Sequence, residues 1–171
     1  MSSTNQPGLV REMKVYILRG LSGAGKSTYA NYLKRTEEEV LVCSADSEFD
    51  HGSGYQFDSR RLPDAHKYCF RRFIDAVQKR WSVVVLDNTN ILYHHFSHYI
   101  AVAEAFDYEI EIVTITVDPE VAALRTTHGV PLETLKSKHK ALNDDLLRAP
   151  LPQRIRQREV CAGSAEWETW S

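Results

Sequence analysis

The residues with the clearest chemical potential form one stretch, the eight positions from Gly20 to Ser27. They read Gly-Leu-Ser-Gly-Ala-Gly-Lys-Ser, which matches the phosphate-binding loop pattern G-x-x-x-x-G-K-S. Glycines let consecutive backbone N–H groups wrap a triphosphate without obstruction by side chains. We expect Lys26 to reach the β- and γ-phosphates and Ser27 to hold a magnesium ion. The predicted nucleotide-binding residues are Gly20, Leu21, Ser22, Gly23, Ala24, Gly25, Lys26, Ser27 and Thr28.

The elements on either side of this loop support the prediction. Residues 13–19 have a strand-like sequence, and residues 27–35 are good helix formers. A true phosphate loop lies between a strand and a helix, whose N-terminus adds a partial positive charge. A glycine-rich turn that binds nothing is the alternative, and this strand–loop–helix context argues against it.

Two further carboxylates follow predicted strands. Asp46 comes shortly after an apolar strand over 39–43, and Asp87 comes directly after the run 83–86. Ligands of parallel α/β sheets bind at the carboxyl ends of the strands, so these carboxylates and the loop are expected to converge. An aspartate there can accept a proton from an incoming hydroxyl, and the alternative is that Asp46 caps a turn. The chain has no Asn-Lys-x-Asp motif, which argues against a GTPase.

The remaining elements follow from hydrophobic spacing. Apolar side chains between positions 62 and 77 recur at helical intervals and predict a long helix over 63–80. Asp118-Pro119 is a helix start in which the aspartate caps and the proline takes the first position. Alternating strands and helices of these lengths predict a parallel sheet of about four to five strands with helices on both faces. The other predicted elements are a helix over 94–106, a strand over 108–117 and a helix over 131–143.

The two ends of the chain differ in character from its centre. We expect residues 1–12 to form a flexible arm, residues 13–148 to form the catalytic domain, and residues 149–171 to pack on that domain or extend it. In the tail, Arg154, Arg156 and Arg158 alternate and would share one face of an extended segment. Trp167 and Trp170 are expected to pack back on the core, with a partner contact as the alternative.

Composition narrows the functional classes. A chain of 171 residues with 43% hydrophobic residues is one ordinary globular domain. It has no apolar run near the ~20 residues needed to span a bilayer and no signal peptide at its polar start, so a cytoplasmic protein without membrane contact is predicted. Three widely spaced cysteines indicate reduced thiols. With a net charge of −2, any contact with nucleic acid has to use a local basic patch.

The order and spacing of these motifs resemble the P-loop kinase family that includes phage polynucleotide 5′-hydroxyl kinase domains. They resemble still more closely the ATP-binding domains of the NEDD4-binding-protein type. The resemblance covers residue 14 to about residue 143 and implies a P-loop kinase-like α/β fold with a helical lid. The matching stretches are residues 20–27, Ser-Ala-Asp-Ser-Glu-Phe at 44–49, Gly-Tyr-Gln-Phe at 54–57, Leu62 with Ala65-His66, Leu-Asp-Asn-Thr-Asn at 86–90, and Arg125 with His-Gly-Val-Pro at 128–131.

This resemblance implies specific roles. Asp46 matches the general base that deprotonates the acceptor hydroxyl, and Arg125 matches a lid arginine that stabilises the transferring phosphoryl group. Asp87 matches an aspartate that helps to organise the metal, alongside Ser27. With Lys26, these residues imply an ATP- and Mg²⁺-dependent kinase whose acceptor is a 5′-hydroxyl end of RNA or DNA.

The acceptor side departs from the family pattern at two positions. Phe49 stands where the phage enzyme has an arginine that contacts a nucleic-acid phosphate, and His128 lies near the place of a second lid arginine. In favour of nucleic acid, the long helix is rich in lysine and arginine with aromatic residues nearby. The predicted acceptor-binding residues are Phe49, Tyr55, Phe57, His66, Asn88 and Asn90.

Three alternatives remain open from the sequence. The acceptor can instead be a small hydroxyl compound such as a nucleoside, which Phe49 and the near-neutral charge favour. A different class is a non-catalytic ATP-binding switch, with the tryptophan-bearing tail as its interface and protein partners unknown. His94, His95 and His98 also suggest a metal site, but the glutamate of a zinc-hydrolase motif is missing and a zinc role is not expected.

Overall fold

The computed structural model describes residues 12–49, 58–127, 129–148, 151–152 and 154–164. Five strands form one sheet in the order β2-β3-β1-β4-β5. Every neighbouring pair is parallel, so all five strands end at the same edge. The strands are β1 (Lys14–Arg19), β2 (Val40–Cys43), β3 (Val83–Asp87), β4 (Glu109–Thr116) and β5 (Arg156–Cys161).

The helices lie on both faces of this sheet. One buried cluster joins the sheet to α2 (Leu62–Gln78) and α3 (Ser97–Ala105). The other joins it to α1 (Lys26–Thr36), α4 (Pro119–Arg125) and α5 (Leu132–Arg148). Side chains of a strand alternate between faces, and β1 shows this directly: Val15 and Ile17 enter the first cluster, and Tyr16 and Leu18 enter the second. The predicted α/β sheet with helices on both faces is confirmed.

Most predicted elements lie within two residues of their observed bounds. Of the two exceptions, one differs in the type of helix and the other in length. The helix predicted over 94–106 is a 3₁₀ helix at Tyr93–His95 followed by α3. They are separate because Phe96, between them, has φ −132° and is buried with 1% exposed surface. The helix predicted over 131–143 continues to Arg148. Short 3₁₀ helices at Asp46–Phe49 and Ser59–Arg61 lie in the long connection between β2 and α2.

The fifth strand comes from the segment that holds the alternating arginines. β5 pairs in parallel with β4, from Arg156 opposite Glu111 to Cys161 opposite Thr116. Only Val160 of this strand is buried. None of the helices in the described ranges combines the length and apolar character needed to cross a bilayer. Predictions for the arm up to residue 11 and for Tyr55, Phe57, His128, Trp167 and Trp170 lie outside the described residues.

Candidate active site

The loop predicted to bind phosphate joins β1 directly to α1. Gly25 precedes the first helical residue, Lys26, and has φ 98° in the left-handed region. The Gly20 N–H donates to the Thr89 carbonyl at 3.0 Å, and the Ala24 N–H donates to the Leu21 carbonyl at 3.1 Å. The loop is therefore anchored to the segment after β3 and folded back on itself. The first N–H groups of an α-helix have no partners within the helix, so the start of α1 is suited to bind an anion.

The lid helix α4 packs closely on this loop. A Cβ built on Gly23 would lie 2.4 Å from the Ala122 carbonyl oxygen and 3.0 Å from the Thr126 nitrogen. The Ser22 and Thr126 hydroxyl oxygens are 3.0 Å apart. Asp118 starts α4 as predicted, because its carboxylate accepts the Glu120 N–H at 2.7 Å. Backbone-to-backbone proximity thus fixes α4, and Arg125 in its last turn, over the loop.

We expect Gly23→Ala to weaken ATP binding at least about tenfold, since the added methyl group has to displace the α4 backbone from the loop. Gly163→Ala is the matched control: Gly163 also has a positive φ of 90°, but no atom lies within 4 Å of its added Cβ. Titration with a fluorescent ATP analogue measures both. Equal affinities in the two variants would show that the contact between α4 and the loop does not shape the site.

Lys26 is held in a buried position at the centre of the loop. Its side chain is 9% exposed, and Nζ donates to the Leu21 carbonyl at 2.8 Å. Burial lowers the pKa of this ammonium, and the carboxylates of Asp87 and Asp46 oppose that shift. A fixed, poorly hydrated cation attracts a phosphate more strongly than an exposed lysine does.

Ser27 and Asp87 form a pair of hard oxygen ligands beside Lys26. The Ser27 hydroxyl donates to Asp87 Oδ2 at 2.9 Å. The pair arises from the topology, because β3 lies next to β1 and Asp87 is in register with Leu18, two residues before the loop. Burial raises the pKa of Asp87, and the Lys26 ammonium opposes this. One hydroxyl, one carboxylate and substrate phosphates suit Mg²⁺, which takes few ligands from the protein.

Asp46 completes the cleft from the end of β2. It begins a 3₁₀ helix, and its N–H donates to Ser44 Oγ at 3.2 Å. The cleft has a volume of about 480 Å³ and an open side. It brings together the three predicted catalytic residues and both predicted metal ligands. Among the residues that line it are Ser22, Lys26, Ser27, Asp46, Asp87 and Arg125.

The predicted acceptor-binding residues do not all reach this cleft. Phe49 has no exposed surface and packs in the core with α2 and α3, because it is the apolar residue that closes the 3₁₀ helix after β2. Asn90 is 3% exposed, and its amide is committed to the Leu18 carbonyl at 2.7 Å. Asn88 lines the cleft and accepts the Ala45 N–H at 2.9 Å. His66 lies instead beside a second cavity.

Sequence inspection missed one buried ion pair behind the loop. Arg19, the last residue of β1, is 1% exposed and lies 2.8 Å from Asp145 Oδ2 of α5. The same guanidinium donates to the Asn90 carbonyl at 2.9 Å and the Ile91 carbonyl at 2.7 Å. Asp145 also accepts the Tyr93 N–H at 3.1 Å. This pair joins the phosphate loop, the segment after β3 and α5. The sequence signal for it was a charged residue at the end of an apolar strand.

The histidines do not form the metal site considered above. His94 and His98 belong to separate helices and do not share one continuous helical face. Within the described ranges, no three histidine, cysteine, aspartate or glutamate side chains are grouped to hold a metal ion. His95 and His98 line the second cavity, together with His66.

Comparison with known proteins assigns this chain to a protein family. The family model of the AAA domain, AAA_33, matches residues 15–128. The chain belongs to this family. The AAA domain described here is 28% identical to human (Homo sapiens) NEDD4-binding protein 2 over 172 aligned positions, which cover 95% of this chain and 10% of that protein. It therefore spans about a tenth of the length of that curated relative.

Two solved structures share the fold of this AAA domain. A chain from the Pnkp1/Rnl/Hen1 RNA repair complex matches it with a TM-score of 0.67 at 18% identity, over 88% of this chain and 49% of that chain. The Deinococcus radiodurans tunicamycin resistance protein matches with a TM-score of 0.60 at 13% identity, over 93% and 92% of the two chains. The family match supports a kinase-type enzyme, and P-loop kinases generally use ATP and Mg²⁺.

Proposed function

We propose that this protein transfers the γ-phosphoryl group of ATP to a 5′-hydroxyl end of RNA or DNA. The observation that carries the proposal is the meeting of Lys26, Asp46 and Arg125 with the Ser27–Asp87 pair in one cleft of about 480 Å³. A nucleotide-binding module without chemistry needs the loop alone. Such a module does not need a carboxylate and a lid arginine at the position expected for the γ-phosphate.

The proposed reaction uses each of these groups once. The Asp46 carboxylate accepts the proton of the acceptor hydroxyl, and that oxygen bonds to the γ-phosphorus. The bond between the γ-phosphorus and the β,γ-bridging oxygen breaks, and ADP leaves. Lys26 and Arg125 stabilise the charge that spreads over the phosphoryl oxygens. Ser27 and Asp87 would hold Mg²⁺, which neutralises the β- and γ-phosphates when bound. Most of the catalysis is positioning, because phosphoryl transfer needs little covalent help.

Two observations support a nucleic-acid acceptor. The exposed surface of α2 carries Lys67, Tyr68 and Arg71, and Tyr68 is 44% exposed. Cations that hold phosphates beside an aromatic ring that stacks a base are typical of single-strand binding. The structural neighbour from an RNA repair complex agrees with this direction. A small hydroxyl acceptor such as a nucleoside stays the second candidate, because Phe49 is buried and gives no phosphate contact.

The test is transfer of labelled γ-phosphate from ATP to single-stranded RNA, single-stranded DNA, nicked duplex and nucleosides, assayed side by side. We expect label on 5′ ends and about a thousandfold or greater loss in Lys26→Ala, whose cation contacts the transferring group. Lys79→Ala is the matched control, because Lys79 is exposed and paired with Asp75 at the far end of α2. Label on nucleosides alone would support the small acceptor. ATP binding with no transfer to any acceptor would contradict the kinase proposal.

A further inference from the structure

A second cavity opens beside the cleft, and its described wall contains no residue of the phosphate loop. Its volume is about 490 Å³, close to the 480 Å³ of the cleft, and the two share Asn88 and Thr89 in their walls. Pockets of 300–1,000 Å³ commonly hold a small ligand or one unit of a larger one. We call it the histidine-lined cavity, and the residues that matter below are Leu62, His66, His95, His98, Lys138 and Ala141.

The elements around the histidine-lined cavity place it on the acceptor side. Leu62 and His66 come from the first turns of α2, and Lys138 and Ala141 come from α5. The segment directly after Asp87 forms the wall shared with the cleft. A group bound here therefore lies next to the carboxyl end of β3, where Asp87 and Ser27 meet. An acceptor has to approach the γ-phosphate from outside the loop, and this cavity adjoins the cleft through that shared wall.

The lining of this cavity has a specific chemistry. Its described wall contains four aliphatic side chains, three histidines, one tyrosine, one lysine and four uncharged polar side chains, and no aspartate or glutamate. A site for a cationic hydroxyl compound needs carboxylates, because buried cations need partners. A wall of aliphatic groups and rings suits a flat, uncharged ring system. Because the described wall has no carboxylate, it does not repel a phosphate that is attached to this ring system.

Two histidines of the cavity, His95 and His98, have a lowered pKa, which favours their neutral form. Burial, and then the neighbouring His94 and His66, lower the pKa of His95, and burial followed by His66 lowers that of His98. His95 Nδ1 accepts the Leu92 N–H at 3.3 Å, so its Nε2 is the atom left to meet a ligand. The His98 ring lies 4.7 Å from the Phe70 ring, edge to face. Neutral rings of this kind stack on, and hydrogen-bond to, a nucleobase.

Lys138 is the cation in the wall of the histidine-lined cavity. Burial is the main cause of the lowered pKa of Lys26 and of His95, and the charge of Lys138 adds a smaller lowering to each. Among the described residues it forms no ion pair, whereas Lys136 and Lys140 of the same helix pair with carboxylates. A half-buried lysine without a carboxylate partner is suited to hold an anion.

We propose that the histidine-lined cavity binds the terminal nucleobase of the acceptor, and that Lys138 contacts the acceptor's backbone phosphate. This inference rests on the proposed function and assigns the acceptor subsite within it. The base enters between α2, α3 and α5, and the 5′-hydroxyl of the same nucleotide reaches Asp46 across the Asn88–Thr89 wall. The buried Phe49 then has no phosphate to contact, because α5 supplies that cation instead.

The test uses two trinucleotides with 5′-hydroxyl ends. They are identical except that the first residue of one has no base. The wild-type protein should prefer the base-bearing end in kcat/KM by on the order of tenfold, the contribution of one stacked base. Ala141→Phe fills the cavity and should reduce this preference to near unity. Lys138→Gln should instead lower kcat/KM for both trinucleotides equally. Lys140→Gln is the matched control, being 79% exposed and paired with Asp144.

Binding of the same trinucleotides in the presence of a non-hydrolysable ATP analogue separates the two proposals. Transfer at equal rates to both ends, with no effect of Ala141→Phe, overturns the subsite while the kinase activity stands. Absence of transfer overturns the kinase proposal, and base-selective binding that Ala141→Phe abolishes still supports the cavity as a base site. If Ala141→Phe fails to fold, two other results test the subsite. These are the preference of the wild type for the base-bearing end and the equal loss of kcat/KM for both trinucleotides in Lys138→Gln.

Discussion

Asp46→Asn is expected to lower the rate of phosphoryl transfer by about 10²–10⁴-fold, the usual contribution of a positioned general base. The asparagine amide keeps the size of the side chain at the start of the 3₁₀ helix after β2, and the Asp46 N–H still reaches Ser44 Oγ. The asparagine side chain cannot accept a proton from the acceptor hydroxyl. The loss should therefore fall on kcat, with the affinity for ATP little changed, because the loop and Lys26 are untouched.

Single-turnover transfer of labelled phosphate measures this effect separately from product release. Asp75→Asn is the matched control, because Asp75 is 59% exposed on α2 and pairs with Lys79 at the surface. A fully active Asp46→Asn protein would remove Asp46 as the base. If the protein instead binds ATP and neither variant changes any measurable turnover, the non-catalytic switch becomes the better account.

Asp145→Ala is expected to destabilise the fold by about 3–5 kcal/mol, the usual cost of breaking a buried ion pair by removing one partner. The side chain that remains, Arg19, is 1% exposed and would keep its charge in the interior. The Tyr93 N–H would also lose its acceptor. The neighbouring Asp144→Ala is the matched control, since Asp144 forms a surface pair with Lys140 and such pairs contribute about 0–1 kcal/mol.

Urea unfolding, followed for both single variants and for Arg19→Met combined with Asp145→Leu, measures the pair. The double replacement should recover part of the lost stability, because an apolar pair of similar volume has no charge left to desolvate. Equal stability of Asp145→Ala and the wild type would mean that water reaches Arg19 despite its burial. Because Arg19 directly precedes the phosphate loop, partial loss of ATP affinity is expected to accompany the destabilisation.

The sequence predicted the centre of the fold well, for a physical reason. The strands β1, β3 and β4 are covered on both faces, so they appear as apolar runs, and α2 shows clear helical periodicity. The phosphate loop demands particular residues at particular positions. Convergence of Asp46 and Asp87 on the loop followed from the rule that parallel strands end at one edge, and both line the cleft.

Features that depend on distant contacts left no local pattern. β5 has one buried residue, so it lacks the hydrophobic alternation that marks a strand. Arg19 and Asp145 are 126 positions apart, and the charged residue at the end of an apolar strand does not reveal its distant partner. Phe49 sits in a polar stretch that suggested an exposed aromatic residue, yet tertiary packing buries it completely. The histidine-lined cavity is assembled from four separate segments, and only His66, Asn88 and Asn90 were expected on the acceptor side.

The two edge strands of the sheet also bear on how this chain behaves beside other copies of itself. A sheet edge offers unpaired N–H and C=O groups to any passing strand, and proteins limit this risk with short or charged edges. Here β2 has only four residues, and β5 exposes Arg156, Arg158 and Glu159. Arg158 is also drawn inward to Glu111 of β4 at 3.1 Å. Both edges therefore discourage strand-to-strand aggregation, so the weakly hydrophobic sequence of β5 protects the solubility of the folded chain.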